Sequence, residues 1–188
     1  MLQIIQFKIQ LAGIEPAIWR RITLPASSMR SDLHTAIQAV MGWHDSHLHM
    51  FVFDGKRYGV PDYDWDSDDE LLNEASFRLD ILLSERREFL YIYDFGDDWR
   101  HEIVVEEIRD GEGAESLPMC IAGERSCPPE DCGGPYFYPD FLEALSDPSH
   151  EDHDHYVAIH GEYDPEQFDL DLAQKRLKVL SPTSTRQH

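Results

Sequence analysis

FLYIYDFGDDWRHEIVVEEI, residues 89–108, reads as two β-rich runs joined by a tight connection. Gly96, Asp97 and Asp98 lie between the runs, and glycine and aspartate accept turn geometry at low cost. In the second run Trp99, His101, Ile103 and Val105 fall on one side of the pleat and Arg100, Glu102 and Glu106 on the other. A period of two with one apolar side marks a strand that packs on a core through one face. Toward the N-terminus, residues 3–11 repeat this pattern, with Ile5, Phe7, Ile9 and Leu11 opposite Gln6, Lys8 and Gln10. GIEPA then turns the chain, and IWRRITL returns with Ile18, Ile22 and Leu24 beside Arg20 until Pro25 ends the run. The chain therefore opens on a second hairpin, with Arg20 and Arg21 expected in ion pairs at the strand edge.

Helical spacing takes over next. Ser31 reads as an N-cap and Asp32 as a first-turn acid, followed by Leu33, Ile37, Val40 and Met41 until Gly42 stops the pattern, which predicts one helix packed on the sheet. Residues 47–53 are apolar on both sides, as in a central strand. VPDYDWDSDDELLNEA, residues 60–75, reads as an acidic loop with at most a helical turn. Helices are expected around residues 138–145, within HEDHDHYVAIHG, and where Leu170, Ala173, Leu177 and Leu180 follow Asp169. The expected architecture is α+β, with a mixed or antiparallel sheet of about five strands, one packed helix after the first hairpin, and a helical C-terminal part. Residues 1–180 form one domain, in which 1–109 are sheet-rich and 110–180 carry a cysteine loop and helices; 181–188 read as a disordered tail.

At 188 residues the chain is long enough to bury a core without disulfides. Its 37 acidic and 16 basic residues give a net charge of −21, which repels polyanions and disfavours binding to duplex nucleic acid. A protein partner or a basic ligand is the expected alternative. The apolar runs are too short to cross a bilayer, and MLQIIQFKIQ lacks the basic start and apolar block of a secretory leader. A cytoplasmic protein with reduced thiols is expected. The sequence contains no phosphate-cradling glycine loop, no G-x-S-x-G and no Cys/His nucleophile signature.

Five motifs stand in order along the chain: IWRRI at 18–22, GWHDSHLH at 42–49, YDFGDDWRHEI at 93–103, CIAGERSCPPEDCGGP at 120–135 and YDPEQFDL at 163–170. Together they resemble the plasmid pRiA4b ORF-3-like family over nearly the whole length. Some members of that family carry the label of insertion-element passenger proteins of TnpR type. The resemblance implies an α+β fold and no established reaction. It singles out Trp19, Arg20, Trp43, Asp94, Gly96, Asp97, Asp98, Trp99, Pro128, Gly133 and Gly134 as motif residues. A serine recombinase needs a nucleophilic serine beside an arginine cluster and a basic DNA-binding module, which this acidic chain does not supply. An accessory role in DNA transactions of a mobile element therefore rests on the family label alone.

Three constellations bear on chemistry. Cys120, Cys127 and Cys132, with six and four residues between them, would supply three ligands of a Cys₃His zinc site with His101 as the fourth; only the second gap has the usual tight spacing. The competing reading is three small buried thiols in a loop stiffened by Pro128 and Pro129. HDSHLH at 44–49 and HEDHDH at 150–155 share the spacing H-x-x-H-x-H. In the first, His47 and His49 would project from one strand face toward one ion, with Asp62 or Asp94 nearby. The second reads as a solvated acidic helix start. His101 is expected in the core, satisfied by a carboxylate, or else as a ligand or base tuned by one. The preferred functional reading is a non-catalytic interaction or accessory module, whose cysteine loop is either held by zinc or packed as buried thiols, the second reading weighing more on the ligand spacing. The alternative is a metal-dependent hydrolase built on His47, His49 and His101 with Asp62 or Asp94 as ligand or base, which requires the three histidines to converge on one cleft.

Overall fold

A computed structural model describes residues 2–61, 70–83, 87–111, 117–161 and 163–180. The expected opening hairpin is formed by β1 (Gln3–Leu11) and β2 (Trp19–Pro25), followed by α1 (Arg30–Met41). Next come β3 (His49–Phe53), β4 (Lys56–Gly59) and β5 (Leu71–Asn73). The segment quoted at the outset becomes β6 (Glu88–Tyr93) and β7 (Trp99–Asp110), and β8 (Met119–Glu124) leads to α2 (Gly134–Ser146), α3 (His153–His160) and α4 (Leu170–Leu180).

The strands form one sheet in the order β5-β4-β3-β6-β7-β1-β2-β8, antiparallel throughout except for the β4–β5 pair. The expectation of about five strands and one packed helix is thus overturned: among the described residues the sheet has eight strands and four α-helices accompany it. The missed strands have physical explanations. β4 and β5, four and three residues long, are too short to display a period. β8, MCIAGE, shows no polar and apolar alternation, and its second half is made of Ala, Gly and Glu, which are weak strand formers. Of the C-terminal helices, α4 packs against both α1 and β8. Gln174 of α4 accepts a bond from the Cys120 amide and donates to the Pro118 carbonyl, covering the edge of the sheet.

Register assembles the core. Phe51 pairs with Tyr91, Tyr91 with His101, and His101 with Leu11; one row over, His49 pairs with Tyr93 and Tyr93 with Trp99. The predicted inner face of β7 is correct, since Trp99, His101, Ile103 and Val105 are all buried. Helix α1 lies over this face with Leu33, Ile37 and Val40 buried, and Gly42 ends it in the left-handed conformation at φ 90°. Its N-cap is Met29 rather than Ser31, with the Asp32 carboxylate accepting the Met29 amide.

The two adjacent arginines divide as strand alternation requires. Arg21, on the outer face, pairs with Glu106 through two bonds of 2.5 and 2.8 Å. Arg20 does not make the expected ion pair. It lies on the core face, where its Nε donates to the Val40 carbonyl and its Nη1 to the carbonyls of Trp19 and Glu124, with the guanidinium 4.3 Å from the Phe168 ring centroid. Arg20 thus ties α1, β2, β8 and the segment before α4 together without a carboxylate. The expected tail, 181–188, lies outside the described residues. No helix among the described residues is long and apolar enough to cross a membrane.

Candidate functional site

Three of the five motifs meet at the end of the sheet where α1 enters β3, where β6 turns into β7, and where the cysteine-bearing loop enters α2. Trp43 stacks on Tyr93 with centroids 4.9 Å apart, and its indole Nε1 donates to the Pro128 carbonyl at 2.9 Å. Glu130 receives the Tyr93 hydroxyl on one oxygen and both the amide and Nδ1 of His44 on the other. Burial pushes the Glu130 carboxyl upward, but its bonds from Tyr93 and His44 prevail and hold it below the usual carboxylate range. The Gly133 amide donates to Asp97 Oδ2 at 3.1 Å. A Cβ on Gly134, at φ +77°, would lie 3.0 Å from the Asp97 carbonyl carbon and closer still to its oxygen. Only glycine lets the loop approach the hairpin this closely.

At this corner His47 lies between two aspartates. Its Nδ1 is 3.6 Å from Asp94 Oδ2 and its Nε2 is 3.1 Å from Asp131 Oδ1. Asp94 is held by an Asx turn, its Oδ1 accepting the amides of Gly96 and Asp97, which leaves Oδ2 toward the histidine. Asp94 and Asp131 both adopt left-handed backbone, at φ 55° and 61°, a conformation that aspartate tolerates better than most residues. Ligand atoms of His47, Asp94 and Asp131 all lie within 4.8 Å of one another. Although Asp131 is within ion-pair distance, His47 Nε2 is buried and makes no hydrogen bond of acceptable direction.

His49 points into a second cluster. Its ring stacks on His34 of α1, with centroids 3.5 Å apart and planes 5° from parallel. His49 Nε2 lies 3.0 Å from Glu74 Oε2, and Glu74 is only 3% exposed. His34 bonds through Nε2 to Asp45 Oδ1 at 3.0 Å and through Nδ1 to the Tyr91 hydroxyl at 2.8 Å. Gln38 steadies both ends of this network, since its Nε2 donates to the same hydroxyl and its Oε1 accepts the Asp45 amide. Burial, and then the neighbouring His49, lowers the His34 pKa to about 3, so the imidazole is neutral near pH 7.

The remaining sequence candidates are dispersed. His101 is fully buried beneath Trp43, its Nδ1 facing the Tyr91 carbonyl at 3.3 Å rather than a carboxylate; burial lowers its pKa to about 3. The three thiols are free. Among the described residues, neither group that brings three ligand atoms within 4.8 Å includes a cysteine or His101. Burial pushes the Cys120 thiol up to about 11 and Cys132 to about 12, and raises Cys127 further. Cys127 lines a cavity of about 510 Å³ with Arg20, Trp43, His44 and Arg176. The residues expected in a hydrolase centre are divided: His47 and Asp94 stay together, His49 joins the other cluster, His101 lies in the core, and Asp62 lies outside the described residues. In the second histidine run, His153 Nδ1 bonds to the Ala144 carbonyl and serves to dock α3 on α2.

Fold and site together define an α+β protein with one mixed, mostly antiparallel sheet, whose motif loops converge on paired histidine–carboxylate clusters. The family model of plasmid pRiA4b ORF-3-like proteins matches residues 3–172, and the chain belongs to that family. It is 38% identical over 150 residues to the uncharacterized protein y4hQ of Sinorhizobium fredii (strain NBRC 101917 / NGR234), covering 80% of this chain and 77% of that one. The crystal structure of MM3350, a protein of unknown function from Methanosarcina mazei Go1, is similar to it at a TM-score of 0.80 and 36% identity, covering 91% of this chain and 97% of the other.

Proposed function

We propose that the protein is a non-catalytic interaction module in which one divalent cation, held by His47, Asp94 and Asp131, fastens the cysteine-bearing loop to the β6–β7 hairpin. This keeps the expectation of a metal-fixed loop but moves the ion from the thiols to a nitrogen and two carboxylates. The observation that carries the reading is the misdirected contact of His47 Nε2, which is 3.1 Å from Asp131 Oδ1 without a hydrogen bond between them. Two ligands about 2.1 Å from one ion stand about 3.0 Å apart at octahedral angles and about 3.4 Å apart at tetrahedral ones, each aimed at the ion rather than at its neighbour. A mixed oxygen and nitrogen set of this kind suits zinc or manganese.

The partner side of the reading rests on charge. A cleft of about 370 Å³ opens beside Asp131 and is lined by Asp140, Glu151, Asp152, Phe137 and Tyr156. Carboxylates with two aromatic rings receive lysine or arginine side chains, so a basic protein segment is the partner that fits. Calorimetric titration of tag-free, metal-stripped protein with Zn²⁺ and Mn²⁺ tests the cation. At a hundredfold excess over Kd the ion stabilises the fold by about 2.7 kcal/mol, which raises Tm by about 5–10 °C in a chain of this size. Asp131→Asn, altering a side chain that is 76% exposed, removes that increment and keeps the fold. An unchanged increment in Asp131→Asn defeats the proposal.

A further inference from the structure

We infer that His34, His49 and Asp45 form a second, separate centre for a first-row divalent transition metal, with positions left over for exchangeable ligands. A nitrogen of each histidine and a carboxylate oxygen of Asp45 lie within 4.8 Å of one another. Two imidazoles and one carboxylate make up the donor set that binds zinc or iron(II) while leaving coordination positions open.

The surroundings carry the inference beyond proximity. Metal-bound histidines characteristically fix their second nitrogen through an outer partner, often a carboxylate, and both rings here have one. His49 is anchored to the buried carboxylate of Glu74 at 3.0 Å. His34 is anchored to the Tyr91 hydroxyl at 2.8 Å, which is itself held by Gln38 at 3.0 Å. Gln38 also fixes the Asp45 amide, so one side chain of α1 orients a histidine ligand and the carboxylate ligand together. Asp45 takes the left-handed backbone at φ 56°, and its side chain is 60% exposed, giving the centre a mouth to solvent while both rings stay below 9% exposure.

Ion uptake changes two features of this arrangement in a defined way. The His34 proton has to sit on Nδ1, donated to the Tyr91 oxygen, so that Nε2 presents its lone pair in place of the bond to Asp45. The rings are parallel with centroids 3.5 Å apart, so no single ion lies in both ring planes; binding through a nitrogen of each, about 2.1 Å from the ion, tilts the planes apart and opens the stack.

The test uses the full chain, metal-stripped and without a tag, titrated with Co²⁺ and followed by visible absorption and calorimetry. Asp131→Asn is expected to retain one ion per chain, and Asp131→Asn/Asp45→Asn to weaken that ion at least 100-fold while keeping the wild-type circular dichroism. Loss of all binding in Asp131→Asn alone, or retention of one ion in the double variant, overturns the inference. If wild type binds a single ion that Asp45→Asn removes and Asp131→Asn leaves, this centre stands and the loop-fastening cation does not. In an imidazole nitrogen NMR spectrum Zn²⁺ is expected to shift both His34 and His49, and a titration that leaves both unmoved also overturns the inference.

Discussion

Replacing Gly134 by alanine tests whether the cysteine-bearing loop is locked to the hairpin by close backbone approach. The substitution has two costs. Alanine at φ +77° incurs the left-handed penalty of about 1–2 kcal/mol. The new methyl also lies 3.0 Å from the Asp97 carbonyl carbon and closer still to its oxygen, well inside the 3.4 Å where ordinary contact begins, and both atoms are backbone. Moving packed backbone costs about 1–3 kcal/mol, and losing the Gly133–Asp97 hydrogen bond adds about 1 kcal/mol. Gly55 supplies the control, because it has nearly the same φ, +76°, with nothing within 4 Å of its added Cβ. Gly55→Ala therefore pays the conformational cost alone. In urea denaturation with a slope of about 2 kcal/mol per molar, Gly134→Ala is expected to unfold roughly 1–2 M below Gly55→Ala. Equal midpoints would refute the close-approach reasoning.

Arg20→Met leaves the carbonyls of Val40, Trp19 and Glu124, one buried and two partly buried, without their guanidinium donor; at about 1 kcal/mol for each acceptor, Tm should fall by about 6–12 °C, and a fall below 3 °C would mean that water replaces the guanidinium. The buried histidines set an acid limit. His34 and His101 each have a folded pKa lowered to about 3 from an unfolded value near 6.5, so the unfolded chain binds more protons and stability is lost as pH falls from 6.5 toward 3. Each contributes a slope of about 1.4 kcal/mol per pH unit within that window, and His101→Leu should remove one share of it; an identical slope in the variant would contradict this assignment.

The fold was legible wherever long alternation met a strong turn signal. β1 and the β6–β7 hairpin show a period of two over enough residues to fix which face is buried, and Trp99, His101, Ile103 and Val105 are the face that is buried. β4, β5 and β8 lack that signal, and their place in the sheet is set by neighbours distant in sequence. The candidate site was half legible. His47 and Asp94 stood out within their motifs, but Asp131 was hidden inside a run read for its cysteines. His34 carries little signal of its own in a helix whose pattern is dominated by the apolar stripe of Leu33, Ile37, Val40 and Met41. The available signal was His34 and Gln38, two polar residues spaced by four beside Leu33, Ile37 and Met41, which places both on the buried side of α1. Glu74 and Glu130 gave no local signal, since their partners come from elements far along the chain.

The cation at the motif corner is tested most directly by diffraction from crystals of the tag-free protein grown with Zn²⁺, with data collected on both sides of the zinc absorption edge. An anomalous peak is expected about 2.0–2.2 Å from one ring nitrogen of His47 and from an oxygen of each of Asp94 and Asp131, lost in Asp131→Asn. A fully zinc-loaded crystal with no peak there, or with the peak among the sulfurs of Cys120, Cys127 and Cys132, would contradict it.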